Sequence, residues 1–134
     1  AAAAVDVDSD GDLDTLAACG SEFEWYENPD GSGASASYES YVHVITASSG
    51  GASSVAPADF DGDGDQDAAT CAFGSKEAYW FENDGKGSFT NHLVAKDQEA
   101  YDIRASDLDG DGDLDLLIAG RGSRNVAWYE NPKR

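Results

Sequence analysis

Asp59-Phe-Asp-Gly-Asp-Gly-Asp-Gln-Asp67 sets five carboxylates on alternate residues of a nine-residue stretch. The same pattern occurs twice more, as Asp6-Val-Asp-Ser-Asp-Gly-Asp-Leu-Asp14 and as Asp107-Leu-Asp-Gly-Asp-Gly-Asp-Leu-Asp115, at spacings of 53 and 48 residues. Each copy is followed by a second landmark, Trp25-Tyr-Glu-Asn28, Trp80-Phe-Glu-Asn83 and Trp128-Tyr-Glu-Asn131. Two landmarks recurring in the same order define an internal repeat. The chain therefore divides into repeat one, about 1–50, repeat two, about 51–98, and a shorter repeat three, about 99–134, within one domain of 134 residues.

Between the landmarks, short runs of Ala, Val, Ile and aromatic residues alternate with Gly, Ser, Asn and Asp clusters, which spells strands and tight turns. No helical period competes. In repeat two the pattern predicts strands over Ser53–Ala58, Asp67–Phe73, Glu77–Glu82 and Phe89–Ala95. The acidic loop then joins the first two strands, and Asn83-Asp-Gly-Lys-Gly87 turns between the third and fourth, its glycines supplying positive φ. Repeat one follows this plan, with Tyr41–Thr46 as its fourth strand. Repeat three reaches the end of its third strand, near Val126–Glu130, and carries no fourth. The expected fold is all-β: three antiparallel blade-like repeats, as an open array or as part of a propeller, the third lacking its last strand.

Each loop reads Asp-x-Asp-x-Asp-Gly-x-x-Asp. Calcium takes roughly six to eight hard oxygen ligands at about 2.3–2.6 Å. Carboxylates at positions one, three, five and nine and the backbone carbonyl at position seven can converge on one ion, while the glycine at position six reverses the chain. The candidate ligands are Asp6, Asp8, Asp10 and Asp14 with the Asp12 carbonyl; Asp59, Asp61, Asp63 and Asp67 with that of Asp65; and Asp107, Asp109, Asp111 and Asp115 with that of Asp113. The expected cofactor is calcium (Ca2+), about three ions, one per loop. Position twelve, where an EF-hand needs a bidentate acid, holds Ala17, Thr70 and Ile118 in β-patterned runs, so that motif is excluded. Magnesium, which keeps more of its waters, suits an all-protein cage less well.

Twenty-seven acids against eight bases give a formal charge of -19. Such a surface repels phosphate backbones and anionic lipid, so neither a nucleic acid nor an anionic membrane is an expected partner. Fifteen of those acids lie in the three loops, and three divalent ions would bring the charge to -13. No apolar run reaches the length of a membrane span, and no leader of the secretory type is visible. Methionine is absent, which fits a processed, exported product or a segment of a longer chain.

The Asp-rich loops at about fifty-residue spacing, the Trp-Tyr-Glu-Asn segments and Gly87-Ser-Phe-Thr-Asn-His-Leu93 together resemble FG-GAP or VCBS repeats over nearly the whole chain. The resemblance implies one propeller blade per repeat and calcium in the loop between the first two strands. It also implies an extracellular adhesion, lectin or matrix role. No motif pairs a nucleophile with a base, so catalysis is not expected.

The remaining residues leave specific questions. The Trp-Tyr-Glu-Asn segments alternate in strand fashion, so one set of rings faces a packing layer and the other faces out; core packing is the expected role, and an outward Tyr26, Phe81 or Tyr129 stacking on a sugar is the alternative. Cys19 and Cys71, in second strands of adjacent repeats, stand five and four residues after the last loop aspartate; a disulfide between them, two buried thiols and links to other chains all stay open. His43 and His92 match in position, which assigns them a structural place. Ser32–Ser40 and Ser48–Ser54 read as exposed loops that could carry O-linked glycan, and no N-linked sequon is present.

Closed propellers use about four to eight blades, so three should leave two uncovered faces. The expected partner is another copy of the chain, joined head to tail through blade faces or by completing the open third strand. The alternatives are a carbohydrate-binding or adhesion module from a larger propeller, and an accessory segment of an enzyme.

Overall fold

The computed structural model describes residues 1–29, 31, 41–46 and 50–131. The expected loop over Ser32–Ser40, the residues Ser48 and Ser49, and Arg134 lie outside them. Eleven strands are described and no helix. Repeat one contains β1 (Ala2–Val5), β2 (Asp14–Cys19), β3 (Glu22–Tyr26) and β4 (Val42–Thr46). Repeat two contains β5 (Ala52–Ala58), β6 (Asp67–Ala72), β7 (Glu77–Asn83) and β8 (Phe89–Ala95), and repeat three β9 (Ala100–Ser106), β10 (Asp115–Gly120) and β11 (Asn125–Tyr129). Each repeat is one antiparallel meander, ordered β1-β2-β3-β4, β5-β6-β7-β8 and β9-β10-β11. The third sheet has three strands among the described residues, and β11 is its edge.

The sheets stack with their first strands adjacent, β1 beside β5 and β5 beside β9. Two apolar layers result. Between repeats one and two, Leu16, Phe23 and Trp25 meet Val55, Ala68 and Phe81. Between repeats two and three, Ala56, Ala69 and Cys71 meet Ile103, Leu116 and Ile118. Sheets packed face to face bury alternate residues of each strand. Repeat two, packed on both faces, buries all six residues of β6. The alanines of β6 and β5 let neighbouring sheets approach closely, and the large rings stand further out on β3 and β7.

For Phe81 this packing bears out the core role and overturns the outward, sugar-facing alternative. Phe81 is 2% exposed and tilts against Phe23 at 5.2 Å between centroids, while Trp80 on the opposite face packs near Phe60. A central blade has no outward ring because both faces meet a neighbour. Tyr129 also packs against the second layer, and the Tyr26 hydroxyl donates to Glu24 Oε2 at 2.7 Å.

Three smaller expectations also change. β5 begins at Ala52, so the Ser48–Ser54 loop is shorter than read: Ser54 is buried and donates to Asp102 Oδ1 at 2.7 Å, a link from repeat two to repeat three. Phe73 lies just past β6 and is exposed, and Tyr41 just before β4 is exposed as well. Both cysteines are free, Cys19 exposed and Cys71 buried. Their offsets from the loop differ by one residue, and in a strand that difference sends the two thiols to opposite faces.

Candidate metal centre

Glycines with positive φ shape each loop, at Gly11 (97°), Gly62 and Gly64 (78° and 99°), and Gly110 and Gly112 (82° and 100°). Ser9 takes the place of Gly62 and Gly110 in loop one and also has positive φ, at 62°. That conformation suits residues without a branched Cβ.

The carboxylates at the first positions tie the turns. In loop two, Asp59 accepts from Gly62 N at 2.6 Å and from Gly64 N at 3.1 Å, Asp61 from Asp63 N at 3.2 Å and Asp63 from Asp65 N at 2.9 Å. Loop three repeats all four bonds through Asp107, Asp109 and Asp111. Loop one keeps three of them, through Asp6, Asp8 and Asp10.

Position nine is the anchor. Asp67 accepts from Phe60 N at 2.9 Å and from Asn83 N at 2.8 Å. Asp14 does the same with Val7 and Asn28, and Asp115 with Leu108 and Asn131. The carboxylate at the start of the second strand thus joins the start of the loop to the end of the third strand.

Ligand atoms converge in three groups: Asp6, Asp8 and Asp10; Asp59, Asp61 and Asp67; and Asp107, Asp109 and Asp115. In each group the atoms lie within 4.8 Å of one another. The first group includes position five and omits Asp14; the other two include position nine and omit Asp63 and Asp111. In loops one and two the side chain at position seven goes elsewhere. Asp12 abuts Gly31 and Asp65 abuts Gly85, so a Cβ on either glycine would collide with the carboxylate.

The donor set fits a hard divalent cation. It is all oxygen, and Asp6 Oδ1 is buried without a hydrogen-bond partner. An unpaired buried carboxylate oxygen is costly, and a cation relieves that cost. Burial pushes the Asp67 carboxyl up to about 6 and also raises Asp14. Asp115 shifts the other way, because the backbone N–H of Asn131 stabilises its charge.

Sequence reading missed what the Asn of each Trp-Tyr-Glu-Asn segment does. The Asn83 side-chain amide donates to the Val7 carbonyl of loop one at 2.7 Å and to the Gln66 carbonyl of its own loop at 3.0 Å. Asn131 likewise donates to Phe60 of loop two at 2.7 Å and to Leu114 of its own loop at 3.2 Å. Asn28 makes the local bond, to Leu13 at 3.2 Å. Loops two and three are thereby each fastened to the loop before them. The signal available in the sequence was the invariance of Asn across the three segments.

The FG-GAP-like repeat matches residues 6–70 and again residues 68–118. Those two spans cover all three acidic loops. Among curated proteins none matches the chain significantly.

Proposed function

Because the chain belongs to the FG-GAP-like repeat family, we propose that it is a calcium-stabilised extracellular structural module that assembles with copies of itself. Repeats of this family are typical of extracellular, non-enzymatic structural and adhesion proteins. No helix among the described residues is long and apolar enough to cross a membrane.

The observation that carries the reading is the chain of bonds through Asn83. Its backbone N–H holds Asp67, and its amide holds the loop of the preceding repeat. An ion that orders loop two therefore orders the junction as well. Without it, repulsion among the loop carboxylates works against the same junction. Extracellular calcium modules often bind at around 0.1–1 mM, which matches a role in calcium-rich surroundings.

The exposed end of the stack supports the self-assembly reading. Trp128 is 50% exposed and Val126 68% exposed on repeat three, whereas the equivalent Trp25 is 3% exposed beneath repeat two. A second copy presenting its repeat one would cover that end as repeat two covers repeat one. Such a head-to-tail contact generates rings or filaments. The exposed Trp128 ring also supports a second reading, an aromatic platform for a sugar in a carbohydrate-binding or adhesion module.

The test of the metal reading is calcium titration by calorimetry, with amide hydrogen exchange followed at both junctions. The proposal expects one ion per loop and slower exchange at Val7 and Asn83 on binding. Heatless titration with unchanged exchange contradicts it.

A further inference from the structure

A continuous line of hydrogen bonds connects the three acidic loops. Asp14 Oδ2 accepts from Val7 N at 2.9 Å, and the Val7 carbonyl accepts from Asn83 Nδ2 at 2.7 Å. Asn83 N donates to Asp67 Oδ1 at 2.8 Å, which carries the line into loop two. There Asp67 Oδ2 accepts from Phe60 N at 2.9 Å, and the Phe60 carbonyl accepts from Asn131 Nδ2 at 2.7 Å. Asn131 N completes the line by donating to Asp115 Oδ1 at 2.9 Å. Six bonds thus join the position-nine carboxylates of all three loops.

Two features let this line carry a signal. Asp14, Val7, Asn83, Asp67 and Phe60 are buried, so water does not readily replace a broken bond among them. The points of attachment also lie within the sets of converging carboxylates. Val7 sits between Asp6 and Asp8, and Phe60 between Asp59 and Asp61, so the Asn amide of the next repeat fixes the peptide that leads into position three. Asp67 and Asp115, at the other end of each link, belong to their own groups. A loop held in its ligating shape therefore presents its position-two carbonyl to the following Asn. That Asn, once held, orients the position-nine carboxylate of its own loop.

We infer that the three loops fill with calcium cooperatively, Asn83 coupling loop one to loop two and Asn131 coupling loop two to loop three. The inference rests on the reading of the loops as calcium sites, and adds that each site depends on its neighbour. Asn83 and Asn131 act as positioning residues. Filling one loop fixes part of the next, which then loses less conformational freedom on binding, and the effect is reciprocal. Repulsion between neighbouring ions acts in the opposite sense and is screened over about 8 Å at physiological salt. The sign of the coupling separates the two.

The test titrates the whole chain with calcium at physiological salt and follows each loop through the amide resonances of Gly11, Gly64 and Gly112, the residues at position six. Asp61→Ala disables loop two. Loops one and three are expected to bind calcium about tenfold more weakly in that variant than in the unsubstituted chain. In an Asn83→Ala background, loop one should no longer respond to Asp61→Ala while loop three still does; in an Asn131→Ala background the pattern reverses. A loss of stability alone moves both loops together, so this asymmetry belongs to the coupling. Asn131 is less buried than Asn83, and its variant carries the test if Asn83→Ala does not fold. Affinities at loops one and three that ignore the state of loop two, or loops that weaken one another, overturn the inference and leave the metal reading standing. Coupling that survives both asparagine variants overturns the path assigned to it. No calcium response at any loop overturns the metal reading, and this inference with it.

Discussion

Asn83 and Val7, 76 residues apart, are joined by a 2.7 Å hydrogen bond from the asparagine amide to the valine carbonyl. Both groups are buried, so the bond has no ready substitute in water. Asn83→Ala should therefore cost about 1–3 kcal/mol, since it leaves the Val7 carbonyl without its partner. Asn28→Ala removes only a bond within its own repeat, at an exposed site, and should cost less. Denaturant unfolding of both variants in calcium checks the ranking, and equal losses would contradict the role given to Asn83.

Removing one loop's chelating geometry should remove one ion. Asp61→Ala is expected to abolish binding at loop two and leave loops one and three able to bind, because Asp61 is one of three carboxylates whose oxygens converge there. Calcium titration by calorimetry reads the stoichiometry. An unchanged ion count would refute the assignment of Asp61.

Acid should act on loop two through Asp67, whose carboxyl burial pushes up to about 6. A carboxyl raised above its unfolded value of about 3.9 binds more protons in the folded state, so its charge destabilises the ion-free fold above about pH 6 and ceases to do so below about pH 4. This contribution to ion-free stability therefore falls as pH rises from 4 to 6. Calcium needs the charged form, so its affinity at loop two should weaken as pH drops through 6. Melting with chelator, and titration with calcium, across pH 4.5–7.5 should show these opposite slopes; a flat calcium affinity would count against the buried state of Asp67.

The thiols should be distinguishable. Cys19 is exposed, whereas Cys71 is buried and its thiol is pushed up by that burial. A thiol reagent at pH 8 should modify one cysteine per chain in the native protein and two after unfolding. Two fast thiols, or none, would contradict the opposite facing of these residues.

Much of the fold is legible from the residues. The strands of repeat two were readable because Gly and Asp clusters punctuate runs of period two, and the acidic loops because five alternating carboxylates have few other physical uses. What the sequence hides is which neighbour covers each face. Phe81 and Trp80 are adjacent in the chain and both pack into layers, since repeat two is sandwiched; no alternation pattern distinguishes that from a sheet with one wet face. The bonds of Asn83 and Asn131 to the preceding loops were invisible for the same reason. They exist between repeats, whereas period and propensity report on what happens within one.

The central proposal is a calcium-stiffened stack of repeats that assembles end to end with copies of itself. Light scattering with negative-stain microscopy, in millimolar calcium and again after chelation, tests this directly. The account predicts rings or filaments in calcium that dissociate when the ion is withdrawn, and their loss in Val126→Lys, a change at a residue 68% exposed that should leave the monomer folded. A stable, monodisperse monomer in both conditions would contradict it.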